Sequence, residues 1–136
     1  MGFLSRLFGG AKKSTKALTM PGPGTYSLDI VGESHYQTEL ETICGGHTKE
    51  GHRKIVEAVL IHEDDNPKDN KAVRVDIEGE AVGHLTREDA RQHRKNMKRK
   101  GYPGADVECS AMIVGGWDRG KGDIGYFGVK LDLPGK

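Results

Sequence analysis

The stretch Asp64-Asp65-Asn66-Pro67-Lys68-Asp69-Asn70-Lys71-Ala72 sets turn formers and acids between two apolar runs. Before it, Ile55-Val56-Glu57-Ala58-Val59-Leu60-Ile61 reads as a strand. After it, Ala72-Val73-Arg74-Val75-Asp76-Ile77 alternates with period two, as a half-buried strand does. Asn66 precedes Pro67 and is pushed out of the helical region, and Asp and Asn side chains bond nearby backbone groups. The stretch is therefore a rigid polar loop between two strands, carrying Asp65, Asn66, Asp69 and Asn70 close together. Two readings stand at this point: an ordinary turn, or a polar loop that touches a ligand.

Working outward, short strands alternate with turn signals. Thr25 to Val31 alternates as a first strand, and Gly32 to Tyr36 is a turn. A short helix follows from about Tyr36 to Cys44, with Leu40, Ile43 and Cys44 as its apolar face. Ser34 and Gln37 have the spacing of a capping box, and Gly45-Gly46 ends the helix. On the other side, Glu78-Gly79-Glu80 turns the second strand back into Ala81-Val82-Gly83-His84-Leu85. Thr86 then caps a helix running to about Lys100, with Asp89 at the third position after the cap. Ala105 to Val114 and Tyr126 to Leu133 are the last strands, joined across the glycine-rich loop Gly115 to Asp123. The count is about six strands and two helices without a βαβ rhythm. It predicts a mainly β (α+β) fold, a small, partly open six-stranded barrel.

The chain has 136 residues, enough for one domain, and 20 glycines, which suit a β-rich fold with many turns. The formal charge of +1 names no partner, but its distribution is uneven. Residues 1–22 read as a tail and linker: Phe3, Leu4, Leu7 and Phe8 share one face at helical spacing, and Lys12, Lys13 and Lys16 follow. This segment is too short in its apolar run for a signal peptide, and Arg6 stands where N-myristoylation asks for Ser or Thr. It reads as a docking peptide for a protein partner or a membrane surface, or as a frayed end. Residues 23–136 form the folded domain. Cys44 and Cys109 lie in apolar settings without metal-type spacing, which predicts free thiols and a cytoplasmic protein. No apolar run is long enough to span a membrane.

The helix after Thr86 carries Arg87, Arg91, Arg94, Lys95, Lys98, Arg99 and Lys100 against Glu88 and Asp89, with Ala90, His93 and Met97 as its buried stripe. This is either a solvated face with cations favoured near a helix C-terminus, or an electrostatic footprint for phosphates. Tyr36, Trp117, Tyr126 and Phe127 are candidate stacking rings beside such a footprint. Catalytic constellations are weak. The histidines show no HExxH or HxH spacing. His62-Glu63-Asp64-Asp65 has cation-ligand residue types but needs partners from elsewhere. A nuclease reading of Asp76 and Glu78 requires a lysine where Glu80 stands. The glycines from Gly115 to Gly122 precede no helix, and Ser34 beside His35 makes no triad. The sequence points to no catalytic residues, no metal site and no cofactor.

Three blocks, in order, resemble the HIRAN domain, a module of certain fork-remodelling ATPases that also occurs alone in bacteria. They are Ile30-Val31-Gly32-Glu33-Ser34-His35-Tyr36-Gln37, then Asp65 to Val75, then Val82-Gly83-His84-Leu85-Thr86-Arg87. The match covers about residues 25 to 133, and the Asn-Pro-x-Asp turn running into Ala-Val is its most specific part. The resemblance implies an OB-like barrel that binds single-stranded DNA or captures a 3′ end, in repair or fork metabolism. It implies that Tyr36 stacks on a base with His35 beside it. It implies that Asp69 accepts from the terminal 3′ hydroxyl, with Asp65 and Asn66 shaping the pocket. His84 and Arg87 would contact phosphate or base edges, and Phe127 would stack on a second base. Ser34, where eukaryotic relatives carry an arginine, lies on the same side; His35 replaces an aromatic and Asp65 an asparagine. The alternatives are a protein-docking module or a metal-dependent nuclease.

Overall fold

The computed structural model describes residues 17–134. Its strands are β1 (Leu18–Thr19), β2 (Leu28–Asp29), β3 (His52–Glu63), β4 (Ala72–Ile77), β5 (Glu80–His84), β6 (Val107–Gly115) and β7 (Phe127–Asp132). Its helices are α1 (Gln37–Cys44) and α2 (Arg87–Arg99). The architecture is mainly β with two helices. Six antiparallel strands in the order β2-β7-β6-β3-β4-β5 curl into a small, OB-like, partly open barrel. The long strand β3 is its spine, pairing β6 along one side and β4 along the other.

Alternation sorts the side chains. Ala58 and Leu60 of β3 face Ile77 and Val75 of β4 across the ladder, and all are buried, joined by Val73, Val82, Val107, Ile113 and Leu131. Truncating a fully buried Leu such as Leu60 to Ala would cost about 2–5 kcal/mol. The helices plug the barrel with few residues: Leu40 from α1, and Ala90, His93 and Met97 from α2. Gly45 ends α1 at φ 78°, and the N–H groups of Gly45 and Gly46 cap the carbonyls of Thr42 and Glu41.

The two edges of the sheet meet at one point. Val31 and His84 exchange backbone hydrogen bonds of 2.8 and 2.9 Å, tying the segment after β2 to the end of β5. Only glycine permits this approach at position 83. Its φ is +156°, and a Cβ there would lie 2.7 Å from the Val31 carbonyl oxygen and 2.8 Å from Ile30 Cδ1.

Some local expectations change. The strand expected over Thr25 to Val31 shrinks to Leu28–Asp29, because the buried Asp132 carboxylate takes the N–H groups of Gly24 and Tyr26 and bends the chain around itself. The capping box from Ser34 does not form: the Gln37 side chain instead donates to the carbonyls of Glu33 and Phe127 and accepts from the Phe127 N–H. Leu18 and Thr19, inside the segment read as tail and linker, run parallel to Val107 and Glu108 of β6. The hydrophobic tail residues Phe3 to Phe8 lie outside the described residues. Cys44 and Cys109 are both free, and burial pushes the Cys109 thiol up to about 12. Among the described residues no helix is long and apolar enough to cross a membrane.

Candidate functional site

The loop between β3 and β4 is built by its own side chains. Asn66 Oδ1 accepts from the N–H groups of Lys68 (2.9 Å) and Asp69 (3.3 Å). Asp69 Oδ1 accepts from the Lys71 N–H (3.0 Å), and the Asp69 carbonyl accepts from the Ala72 N–H that opens β4. These successive side-chain turns fix the backbone on both sides of Asp69.

Helix α2 then clamps the loop. Thr86 caps it by accepting from the Asp89 N–H, so its first turn begins beside the loop. Arg87, Arg91 and Arg94, spaced four and three apart, share one face. Arg91 donates to both oxygens of Asp69 at 3.0 and 3.1 Å. Arg94 gives Nε to the Lys71 carbonyl, Nη2 to the Ala72 carbonyl and Nη1 to Asp64. Its side chain is 17% exposed, whereas that of Arg87 is 73% exposed, with its Nε 3.8 Å from Asp69 Oδ2. Arg91 and Arg94 are thus committed to the loop, while Arg87 touches it only at long range, its Nη2 donating to the Lys68 carbonyl at 3.4 Å. Hydrogen bonds from Arg91 and then from the Lys71 N–H, helped by the two arginine charges, hold the Asp69 carboxyl at about 2. A carboxylate accepts up to about four hydrogen bonds. Oδ1 has two donors and Oδ2 one, so Oδ2 keeps an acceptor position facing the Arg87 side.

A second network joins the loop to β5. Between Val75 and Asp76 the β4–β5 register slips, Val75 facing Gly83 and Asp76 facing Ala81, so that Val82 is an extra residue. The slip sets His84 opposite Arg74, on the face away from the core, where alternation also places Glu63. Glu63 is the hub: Oε1 accepts from His84 Nε2 at 2.7 Å and from Asn66 Nδ2 at 3.0 Å, and Oε2 lies 3.4 Å from Arg74 Nη1. Burial pushes the Glu63 carboxyl up, but the bonds from Asn66 and His84 and the charges of His84 and Arg74 outweigh it and hold it below its usual value. Arg74 is fixed in turn by a bidentate pair with Asp76.

The structure therefore brings Asn66, Asp69, His84 and Arg87 into one connected region. Ser34 and His35 lie in a 3₁₀ turn, Glu33–His35, that follows the Val31–His84 bridge directly, and Tyr36 stands at its end, half-buried. Ser34 and His35 are exposed. Asp65 is exposed and makes no bond among the described residues. Phe127 is reached from the same turn, since Gln37 bonds its backbone, but its ring is 2% exposed and packs against His47 and His52 at 5.1 and 5.6 Å. The exposed ring at that strand end is Tyr126, at 79%. The sequence marks Arg91 and Arg94 only as charge on a helix face and Glu63 only as a cation-ligand type, not as the side chains that hold this loop and His84. Their signals were the two-residue step from Ile61 and the four-three spacing from Arg87.

Among the described residues no group of three or more His, Cys, Asp or Glu could hold a metal ion. The acidic run is split: Glu63 serves His84 and Asn66, and Asp64 serves Arg94. No family model, curated protein or solved structure matches the chain.

Proposed function

We propose that this chain is a non-catalytic nucleic-acid-binding module of the HIRAN type that takes single-stranded DNA or DNA ends, in repair or replication-fork metabolism. The observation that carries the reading is Asp69: a carboxylate held ionised, rigidly placed, and left with an acceptor position beside Arg87, an exposed arginine held only by long contacts. A strand terminus offers a hydroxyl donor that an internal nucleotide lacks. A phosphate at the same place would meet like charge, so the carboxylate selects by rejection as well as by bonding. Arg87 would neutralise the adjacent phosphate, His84 would contact phosphate or a base edge, and Tyr36 would stack on the terminal base beside His35 and Ser34. Asn66 holds the turn, and Asp65 adds an exposed charge at its rim. A further stacking contact from the last strand requires Phe127 to leave its packing on His47 and His52, or the neighbouring Tyr126 to serve. The ordered blocks resembling the HIRAN domain and the barrel architecture support this reading.

Fluorescence anisotropy with a labelled single-stranded oligonucleotide tests it. Binding at low salt that weakens in Arg87→Ala is expected. Absence of binding, or an affinity indifferent to Arg87, contradicts it.

A further inference from the structure

Beyond the loop, α2 and the turn at Pro103-Gly104 bound an open groove of about 610 Å³. Lys71, Arg91, Arg94, Lys95 and Lys98 line it, and among the described residues its acid is Asp64, already paired with Arg94 at 2.8 Å. The cations divide by what they hold. Arg91 and Arg94 spend their donors on Asp69, Asp64 and the carbonyls of Lys71, Ala72 and Arg87. Lys71, Lys95 and Lys98 are exposed and pair with no acid among the described residues. The arginines fold the loop, and Lys95 and Lys98 are left exposed along one groove, with Lys71 at its edge near Asp64.

Spacing gives the groove a direction. Arg87, Arg91, Lys95 and Lys98 rise along one side of α2 from the Asp69 end. Eleven residues at about 1.5 Å each span about 16 Å. Consecutive phosphates of an extended single strand lie about 6–7 Å apart, about twice the axial spacing of one strand in a duplex, so the span matches a run of about three or four. The ammonium groups impose no planar geometry, which suits contact with successive phosphates whatever the bases.

We propose that this groove is the track for the phosphodiester backbone of the strand whose end lies at Asp69, with Lys71, Lys95 and Lys98 as its phosphate contacts. The inference rests on the end-binding reading above and adds the path of the strand. It makes binding length-dependent: affinity rises from a dinucleotide until about three or four phosphates are covered, then levels off.

The test is the salt dependence of the full-length chain for 5′-labelled dT12 ending in a 3′ hydroxyl or a 3′ phosphate. The comparison is wild type against Lys95→Gln/Lys98→Gln, with thermal unfolding as a check on folding. For single strands each lost phosphate contact lowers the slope of log affinity against log salt by about 0.7, so the double variant should be flatter by about 1.4. An unchanged slope overturns the track, and end discrimination persisting in that case leaves the end reading intact. A flattened slope with equal affinity for both ends supports the lysine contacts and overturns their link to an end at Asp69. A wild-type chain that binds neither oligonucleotide at about 20 mM salt, where counterion release favours binding most, overturns both.

Discussion

Acidification should weaken this fold through His93. His93 sits on the inner face of α2, 7% exposed, with its Nε2 unpartnered, and its ring is tilted against that of His62 at 5.8 Å. Burial first, then the charges of His62, Arg94 and Lys100, push it down from 6.5 to about 4. The folded value lies below the unfolded one, so between these limits the unfolded chain binds a proton that the native chain refuses. Stability therefore falls as pH falls from 6.5 towards 4. The full shift corresponds to about 3 kcal/mol, of which about 2 kcal/mol is lost between pH 7.5 and 5.0. His62 is also lowered, mainly by burial, and acts in the same direction. Urea denaturation at the two pH values, in wild type and His93→Met, measures this directly. Methionine fills the site without a titrating group, so the variant should lose about 2 kcal/mol less than wild type on acidification. Equal losses in the two proteins would refute the burial of a neutral His93.

Two further outcomes follow from single contacts. Asp69 has a folded pKa of about 2 against an ordinary 3.8, so its bonds to Arg91 persist until pH falls to about 2, while the stability they contribute is full above about pH 4 and declines between those values. A carboxyl-carbon NMR titration should find that midpoint, moving up in Arg91→Gln; an ordinary midpoint in wild type would remove the clamp. Gly83→Ala should cost about 2 kcal/mol or more, since a new Cβ meets the Val31 carbonyl. Hydrogen exchange at the Val31 and His84 amides should rise in that variant, and unchanged protection would mean the barrel is not closed there.

Much of the fold is written in local pattern. The β3–loop–β4 unit, the Glu78-Gly79 hairpin with both residues at positive φ, and α2 with its Thr86 cap and Ala90-His93-Met97 stripe all follow from period, turn chemistry and capping. What stayed hidden depends on partners distant in sequence. Asp132 takes backbone N–H groups more than 100 residues earlier, and no local signal announces that an acid will shape the chain at Gly24 and Tyr26. The slip at Val82 is equally silent, yet it sets His84 within reach of Glu63. For the candidate site, residue types in the loop marked Asn66 and Asp69. That Arg91 and Arg94 of the following helix would secure the loop was not legible, because charge on a helix face reads the same whether it is paired or free. The bonds that fold the loop also hold Asp69 in place, so the turn reading and the ligand reading are compatible.

The most direct test of Asp69 as the reader of a strand end is the ratio of dissociation constants for one single-stranded oligonucleotide carrying a 3′ hydroxyl or a 3′ phosphate, in wild type and Asp69→Asn. Losing a hydrogen bond to a charged group costs about 1.5–3 kcal/mol, so wild type should prefer the hydroxyl by about tenfold or more. Asparagine, which keeps the side-chain shape but removes the charge, should shrink that preference. Equal affinity of wild type for the two ends would contradict it.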